Sequence, residues 1–388
     1  MQCVFGETVY TGTSVKKDCY VCFSGKRISA VSSRRQGTEA GRYKVITPAF
    51  IDPHNHIGMR RAGEPAAESE SNEKMDAIIP LPDALDSVQM DDTSFSDAVE
   101  MGVLYSCVVP GSGNIIGGLS AVIRNYAAHS SEALIARAGV KSAFGYNPMS
   151  TESWKGTRPS TRMGALAMLR AKLHDVQQKD KRRRKAKGAK KDEIAVTAEE
   201  EILLDILSRR RRLRVHVHKA DDIAALLRAA DEFDLDIQVE HACDVYDTGI
   251  FRELADRGIP VTYGPVDSFA YKVELKHETW RNIGCLIESG ADFGLMTDHP
   301  VSPCRQLFLQ TRWFTRFGLS KQDAVEIVSF RNAKILGIDN ILGSLAKRKW
   351  ASFTCWNGDP FDITAYPETV YGEGRQLVSE GREQKQGR

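Results

Sequence analysis

Six of the nine histidines, His54, His56, His216, His218, His241 and His299, stand at or just beyond the ends of short apolar runs. Chance placement would scatter them. Side chains alternate between the two faces of a strand, so in Ile51-Asp-Pro-His-Asn-His-Ile57 both His54 and His56 project the same way. Two imidazoles so placed make a bidentate clamp, and neutral imidazole suits Zn²⁺ and similar divalent ions. Surface histidines often share that spacing, so the pair takes its meaning from three further segments. These are Leu213-Arg-Val-His-Val-His-Lys-Ala-Asp-Asp222, Ile237-Gln-Val-Glu-His241 and Phe293-Gly-Leu-Met-Thr-Asp298-His-Pro300, each a largely apolar run that ends in a residue able to bind metal. Asp298 follows such a run and is costly to bury unless a cation or metal faces it. His218 shares a face with His216, and three roles stay open for it: ligand in place of His216, substrate contact, or satisfied interior histidine. His299 should point off axis and support the ligands from behind.

Other signals are weaker. Pro110-Gly-Ser-Gly-Asn-Ile-Ile-Gly-Gly118 matches neither a Walker loop nor a dinucleotide fingerprint. Its backbone amides can hold a substrate carboxylate or phosphate, with Asn114 as a candidate substrate contact, or the loop simply shapes a pocket. Cys304 falls where it can line the site, but no neighbour marks it as a nucleophile. The eight cysteines follow no framework spacing and read as reduced cytosolic thiols. Cys19 and Cys22 have CxxC spacing but sit in an apolar run without a second pair, so a metal role is not expected there.

These residues need a scaffold. Strand-like segments at 18–24 and 27–32 flank a turn at Ser24-Gly25-Lys26, and strand-like text returns at 350–356 and 369–378. Between the ends, eight strands are predicted at 45–51, 104–109, 120–124, 140–144, 213–218, 237–240, 260–263 and 293–297. Helices are predicted at 163–178, 220–233, 247–257, 278–289 and 321–336, the last capped by Ser320. Eight short strands interleaved with helices favour a (β/α)8 barrel over an open doubly wound sheet, and barrel enzymes build their sites at the C-terminal strand edge. Residues 1–46 and 347–388 then form one small β domain around a barrel at 47–346.

Composition narrows the partners. The chain has 388 residues, 42% hydrophobic and 27% charged, enough for a large core. Nine bases lie in 179–191 and five in 209–214; those 14 of 53 leave 39 against 51 acids, so the body is acidic and nucleic acid is not the expected partner. The run 179–191 reads as an inserted, solvated loop. No apolar run approaches membrane-spanning length and no secretory signal is visible, so a cytoplasmic protein with a small-molecule substrate is expected. Exposed edges of the small domain suggest a homodimer or higher homo-oligomer.

The order of landmarks resembles the amidohydrolase superfamily, in particular its imidazolonepropionase-related branch. The landmarks are Pro48 to Gly58, Val215 to Asp222, Val239-Glu-His241, Thr297-Asp298-His-Pro300, Asn332-Ala-Lys-Ile-Leu-Gly337, Gly343-Ser-Leu345 and Trp356-Asn-Gly-Asp-Pro360. The resemblance implies a distorted (β/α)8 barrel with a β-sandwich satellite built from both chain ends. It also implies one or two divalent ions, foremost Zn²⁺ with Mn²⁺ or Fe²⁺ as alternatives. His54, His56, His216, His241 and Asp298 match the metal ligands. Asp298 matches the residue that takes a proton from water and returns it to the leaving nitrogen, and His241 is a second catalytic candidate. Lys141 matches the position of a carboxylated lysine that bridges two ions; a substrate contact or a plain salt bridge is the alternative. Tyr146 stands where related chains tend to carry an acid, which argues for one metal. Lys347-Arg-Lys-Trp350 and Ala49 also depart from the pattern, away from the ligands. The expected activity is hydrolysis of a C–N bond in a cyclic amide, linear amide or dipeptide. Ring-amine deamination on the same site, or an idle metal protein acting through its basic loop, are the alternatives.

Overall fold

In the computed structural model, residues 1–186, 194–266 and 268–379 are described. Two sheets organise them. Strands β1 (Gln2–Tyr10), β2 (Val15–Ser24), β3 (Arg27–Ser32) and β4 (Thr38–Pro48) come from the start of the chain. The barrel strands are β5 (Phe50–Asn55), β6 (Val103–Val108), β7 (Ile116–Arg124), β8 (Leu134–Ala143), β9 (Leu213–Val217), β10 (Ile237–His241), β11 (Val261–Tyr263) and β12 (Phe293–Leu295). Strands β13 (Phe353–Trp356), β14 (Pro367–Gly372) and β15 (Arg375–Ser379) close the chain. The small sheet runs β15-β14-β13-β4-β1-β2-β3, joining both chain ends, and the eight-stranded sheet runs β5 to β12 in sequence order. The fold is a TIM-barrel-like α/β architecture with a second sheet.

The strand predicted at 45–51 is divided. Pro48 ends β4 in the small sheet, where Thr47 and Pro48 pair with β13, and Phe50 begins β5 in the barrel. One apolar run thus serves two sheets, which periodicity cannot reveal because both are buried. The third barrel strand also departs from a parallel barrel. β7 is antiparallel to both β6 and β8, because the connection at 109–115 returns the chain directly without a crossover helix.

Short strands need staples. Asn332 Nδ2 donates to Ile51 O at 2.7 Å and to Leu295 O at 2.9 Å, so one buried amide ties the first barrel strand to the last. A Cβ on Gly294 would fall 1.8 Å from Asn332 Oδ1, which explains glycine there.

The helix Ala220–Phe233 follows from its sequence: Ile223, Leu226, Leu227, Ala230 and Phe233 recur on one face and are buried, and Asp234 ends it in the left-handed region at φ 53°. Each large side chain buried there contributes about 1.5–3 kcal/mol. The helix predicted at 321–336 is two, Lys321–Ile327 and Phe330–Ile335, with Ser320 in a capping box with Asp323. A helix at Ala198–Leu207, capped by Thr197 and Glu200, was not anticipated.

Two further expectations change. Residues 179–185 are not loop but the end of the helix Arg162–Lys185, while 187–191 lie outside the described residues. The arginines at 209–212 are tied to Asp234, Asp205 and Asp236, and Arg214 is buried in the barrel, so that segment is not a free basic patch. The cysteines are not all thiols: Cys3 and Cys22 form a disulfide. They stand directly opposite each other on antiparallel β1 and β2, a pairing that CxxC spacing hides.

Candidate metal centre

The C-terminal ends of β5, β9, β10 and the segment after β12 bring together five buried histidines and the partly buried Asp298. His54, His56 and Asp298 form one group and His216, His218 and His241 another, the candidate ligand atoms within each group lying within 4.8 Å of one another. His54 and His241 join the groups, with ring centroids 5.0 Å apart. Strand alternation delivers the two HxH pairs. His241 and Asp298 need more, and both sit in the left-handed region, at φ 76° and 50°, where the chain turns sharply off its strand.

Backbone carbonyls set the tautomers. His56 Nδ1 donates to Val109 O at 2.7 Å and His241 Nδ1 to Gly264 O at 2.9 Å, which leaves each Nε2 lone pair facing inward. Asp298 Oδ1 lies 3.2 Å from His56 Nε2 and 3.4 Å from His54 Nε2. Burial, reinforced by neighbouring positive charge, holds His216, His218 and His241 well below the usual imidazole range. Burial likewise lowers His56. Neutral imidazole is the ligating form. Burial pushes the Asp298 carboxyl up, but the imidazoles of His54, His56 and His241 around it outweigh burial and hold the group well below the usual carboxylate range.

Behind these candidate ligands is a charge cluster that joins Lys141, matched to a bridging lysine or a plain salt bridge, with Glu240 and Arg214, to which sequence reasoning assigned no role. Glu240 Oε2 lies 2.9 Å from His54 Nδ1 and accepts from Lys141 Nζ at 3.1 Å. Its Oε1 accepts from Arg214 Nε at 2.8 Å, and Arg214 Nη2 donates to Pro53 O. All three charged groups are buried. Burial lowers Lys141, which Glu240 only partly opposes; burial raises Glu240, but Arg214, His54 and Lys141 keep it well below its ordinary value. Their signal was available: alternate residues on β9 and β10 share a face, so Arg214 travels with His216.

The other candidates are spread more widely. Asn114 Nδ2 donates to Glu73 O and Asp76 O and so ties down the 73–76 segment. The glycine-rich loop spends amides similarly, Gly111 N on Ser71 O and Gly113 N on Asn72 Oδ1. His299 Nδ1 accepts from Cys304 N, and burial depresses its pKa to about 4. Cys304 is buried beside Asn55 and Ser106, and burial pushes its thiol well up, which suits no nucleophile.

A cleft of about 230 Å³ opens over the site, lined among others by His56, His216, Asp298, Arg60, Trp154 and Lys272. Arg60 has no ion-pair partner among the described residues.

The amidohydrolase family model matches residues 45–379, the whole barrel and all three of the small sheet's C-terminal strands. The chain belongs to the amidohydrolase family. It is 24% identical over 353 residues to the amidohydrolase tasK of Hapsidospora irregularis, covering 85% of this chain and 36% of that protein, so it spans about a third of that relative's length. Its structure is similar to that of an amidohydrolase from Thermotoga maritima MSB8, with 31% identity, a TM-score of 0.90, and 98% of this chain and 100% of that one covered. A prolidase complexed with N-methylphosphonate-L-proline shares the fold at 14% identity and a TM-score of 0.62, over 98% of this chain and 100% of that one.

Amidohydrolases generally hold a divalent metal, and the residues present fit one. His54 Nε2, His241 Nε2, His218 Nδ1 and both ring nitrogens of His216 are buried without a hydrogen-bond partner. Orphaned polar atoms at that density are costly unless an ion takes their lone pairs.

Proposed function

We propose that the chain is a metal-dependent hydrolase of a C–N bond in a small amide, cyclic or linear, or a dipeptide. The observation that carries this reading is the convergence of buried, unpartnered imidazole nitrogens and Asp298 at the mouth of the barrel. His54, His56 and Asp298 would hold one divalent ion and His216, His218 and His241 a second, Zn²⁺ being the first candidate for this donor set. Bound there, such an ion supplies Lewis acidity for water activation and carbonyl polarisation.

The chain's own residues do the rest. Asp298, kept ionised, accepts the proton of the attacking water through a carboxylate oxygen and returns it to the leaving nitrogen as the C–N bond breaks. With only the first ion bound, His241 Nε2, its Nδ1 fixed on Gly264 O, is free to accept a hydrogen bond from the attacking water and orient it. Glu240 holds His54 in place, and Lys141 serves Glu240 as an ion-pair partner rather than as a bridging ligand. Arg60, unpaired beside the cleft, suits a carboxylate on the substrate. That favours N-acyl amino acids and dipeptides within the proposed range. The landmark order supports placement in the imidazolonepropionase-related branch, and a cytoplasmic protein is part of the same reading.

Elemental analysis of tag-free protein should give one or two ions per chain. Asp298→Asn should lower kcat on the best amide by at least about a hundredfold while the fold is retained. Undiminished activity in that variant would overturn the mechanism.

A further inference from the structure

The segment after β11 mixes exposed and buried side chains. Phe269, Tyr271 and Val273 are exposed, whereas Glu274 is buried at 1% exposure and Lys272 is largely covered. Glu274 Oε2 is committed: it accepts from Tyr146 N at 2.8 Å. It passes close over Gly145, at φ 80°, where a Cβ would meet it at 2.9 Å.

Oε1 is aimed elsewhere. It lies 3.5 Å from His216 Nε2 and 3.9 Å from His218 Nε2. Lys272 Nζ stands 2.7 Å away as an ion pair, but no donor is aligned on Oε1 as a hydrogen bond. The histidine distances are long for hydrogen bonds and close to the separation of two ligands on one tetrahedral ion, about 3.3 Å for metal–ligand bonds near 2 Å. Oε1 thus faces Lys272 on one side and, on the other, two imidazole nitrogens, of which His216 Nε2 is buried without a hydrogen-bond partner.

We propose that Glu274 is the fourth ligand of the divalent ion at His216, His218 and His241, an inference that rests on the metal-dependent reading above. Lys272 then competes with the ion for the same oxygen. When the ion takes Oε1, the Lys272 ammonium turns to the cleft it already lines, where it joins Arg60 in meeting an anionic substrate.

The test is titration of the metal-free full chain with Co²⁺, followed by calorimetry and by the visible absorption of the bound ion. Glu274→Gln should weaken uptake at one site by more than about tenfold, the least expected when even a supporting partner is lost, and should change the visible band. Lys272→Met should tighten the same site by removing its competitor. Should Glu274→Gln fail to fold, Lys272→Met carries the test alone, and unchanged Co²⁺ affinity in it overturns the proposal. Wild-type uptake with both variants indistinguishable from it would overturn the Glu274 ligand and leave the metal-dependent reading standing. A wild-type chain that takes up no Co²⁺ at all would bring down both.

Discussion

At the scale of single residues, the site depends on charges that have no exit to water. Glu240 faces Lys141, Arg214 and His54 in the dry interior. Removing its charge strands two buried cations, and a broken buried network of this kind typically costs about 3–5 kcal/mol. Glu240→Gln should therefore lower the denaturant midpoint markedly, and a change of less than about 1 kcal/mol would show that the cluster is open to solvent. Gly145 poses a different constraint. It sits at φ 80°, and an alanine Cβ there would press on Glu274 Oε2 and Asp222 Oδ2, each 2.9 Å away. Gly145→Ala should cost both stability and activity, read as a lower Tm together with a lower kcat/KM.

At the scale of elements, the strand junctions are held by a few polar contacts. Asn332→Ala would leave Ile51 O and Leu295 O without their donor, at about 1–3 kcal/mol for each buried group. Unfolding in urea should show the loss without change in the slope. Glu373 plays the same part between β14, the barrel and the β2–β3 turn: it accepts from Arg124, from Tyr126 at 3.1 Å and from Lys26 at 3.0 Å. Burial raises its pKa, but Arg124 and Lys26 pull it below the usual carboxylate value. Its stabilising contribution is therefore complete above the unfolded-state pKa, about 4.3, and is lost as pH falls through the depressed folded value. Glu373→Gln should flatten the acid limb of the stability–pH curve and lower stability at neutral pH.

At the scale of the whole molecule, metal and fold are linked. Ions that bind the folded chain and not the unfolded one add about 2.7 kcal/mol of stability at a hundred times their Kd, so chelation should lower Tm as well as abolish activity. A chelated protein with unchanged Tm would argue that the histidine groups are empty in the active state. The disulfide gives an independent check: alkylation of the unfolded, unreduced chain should label six cysteines, and reduction should expose all eight. Among the described residues no helix is long and apolar enough to cross a membrane. Of the basic segments, Lys179 pairs with Glu200, Arg184 with Asp180 and the arginines at 209–212 with nearby aspartates.

The sequence by itself determined the barrel class, the two HxH pairs, His241 and Asp298, because each follows from short-range rules. Side chains alternate along a strand, and apolar runs end where a barrel places its chemistry. It could not show that the run at 45–51 divides between two sheets, since both halves are equally buried. Nor could it show that β7 reverses, because a return without a helix looks locally like any strand and loop. Only the tertiary structure paired Cys3 with Cys22, drew Lys141, Arg214 and Glu240 around His54, and set Glu274 against His216 and His218. Those are contacts between residues distant in the chain. A lysine or glutamate reads as a surface residue until barrel closure removes the water around it and leaves another side chain as its partner.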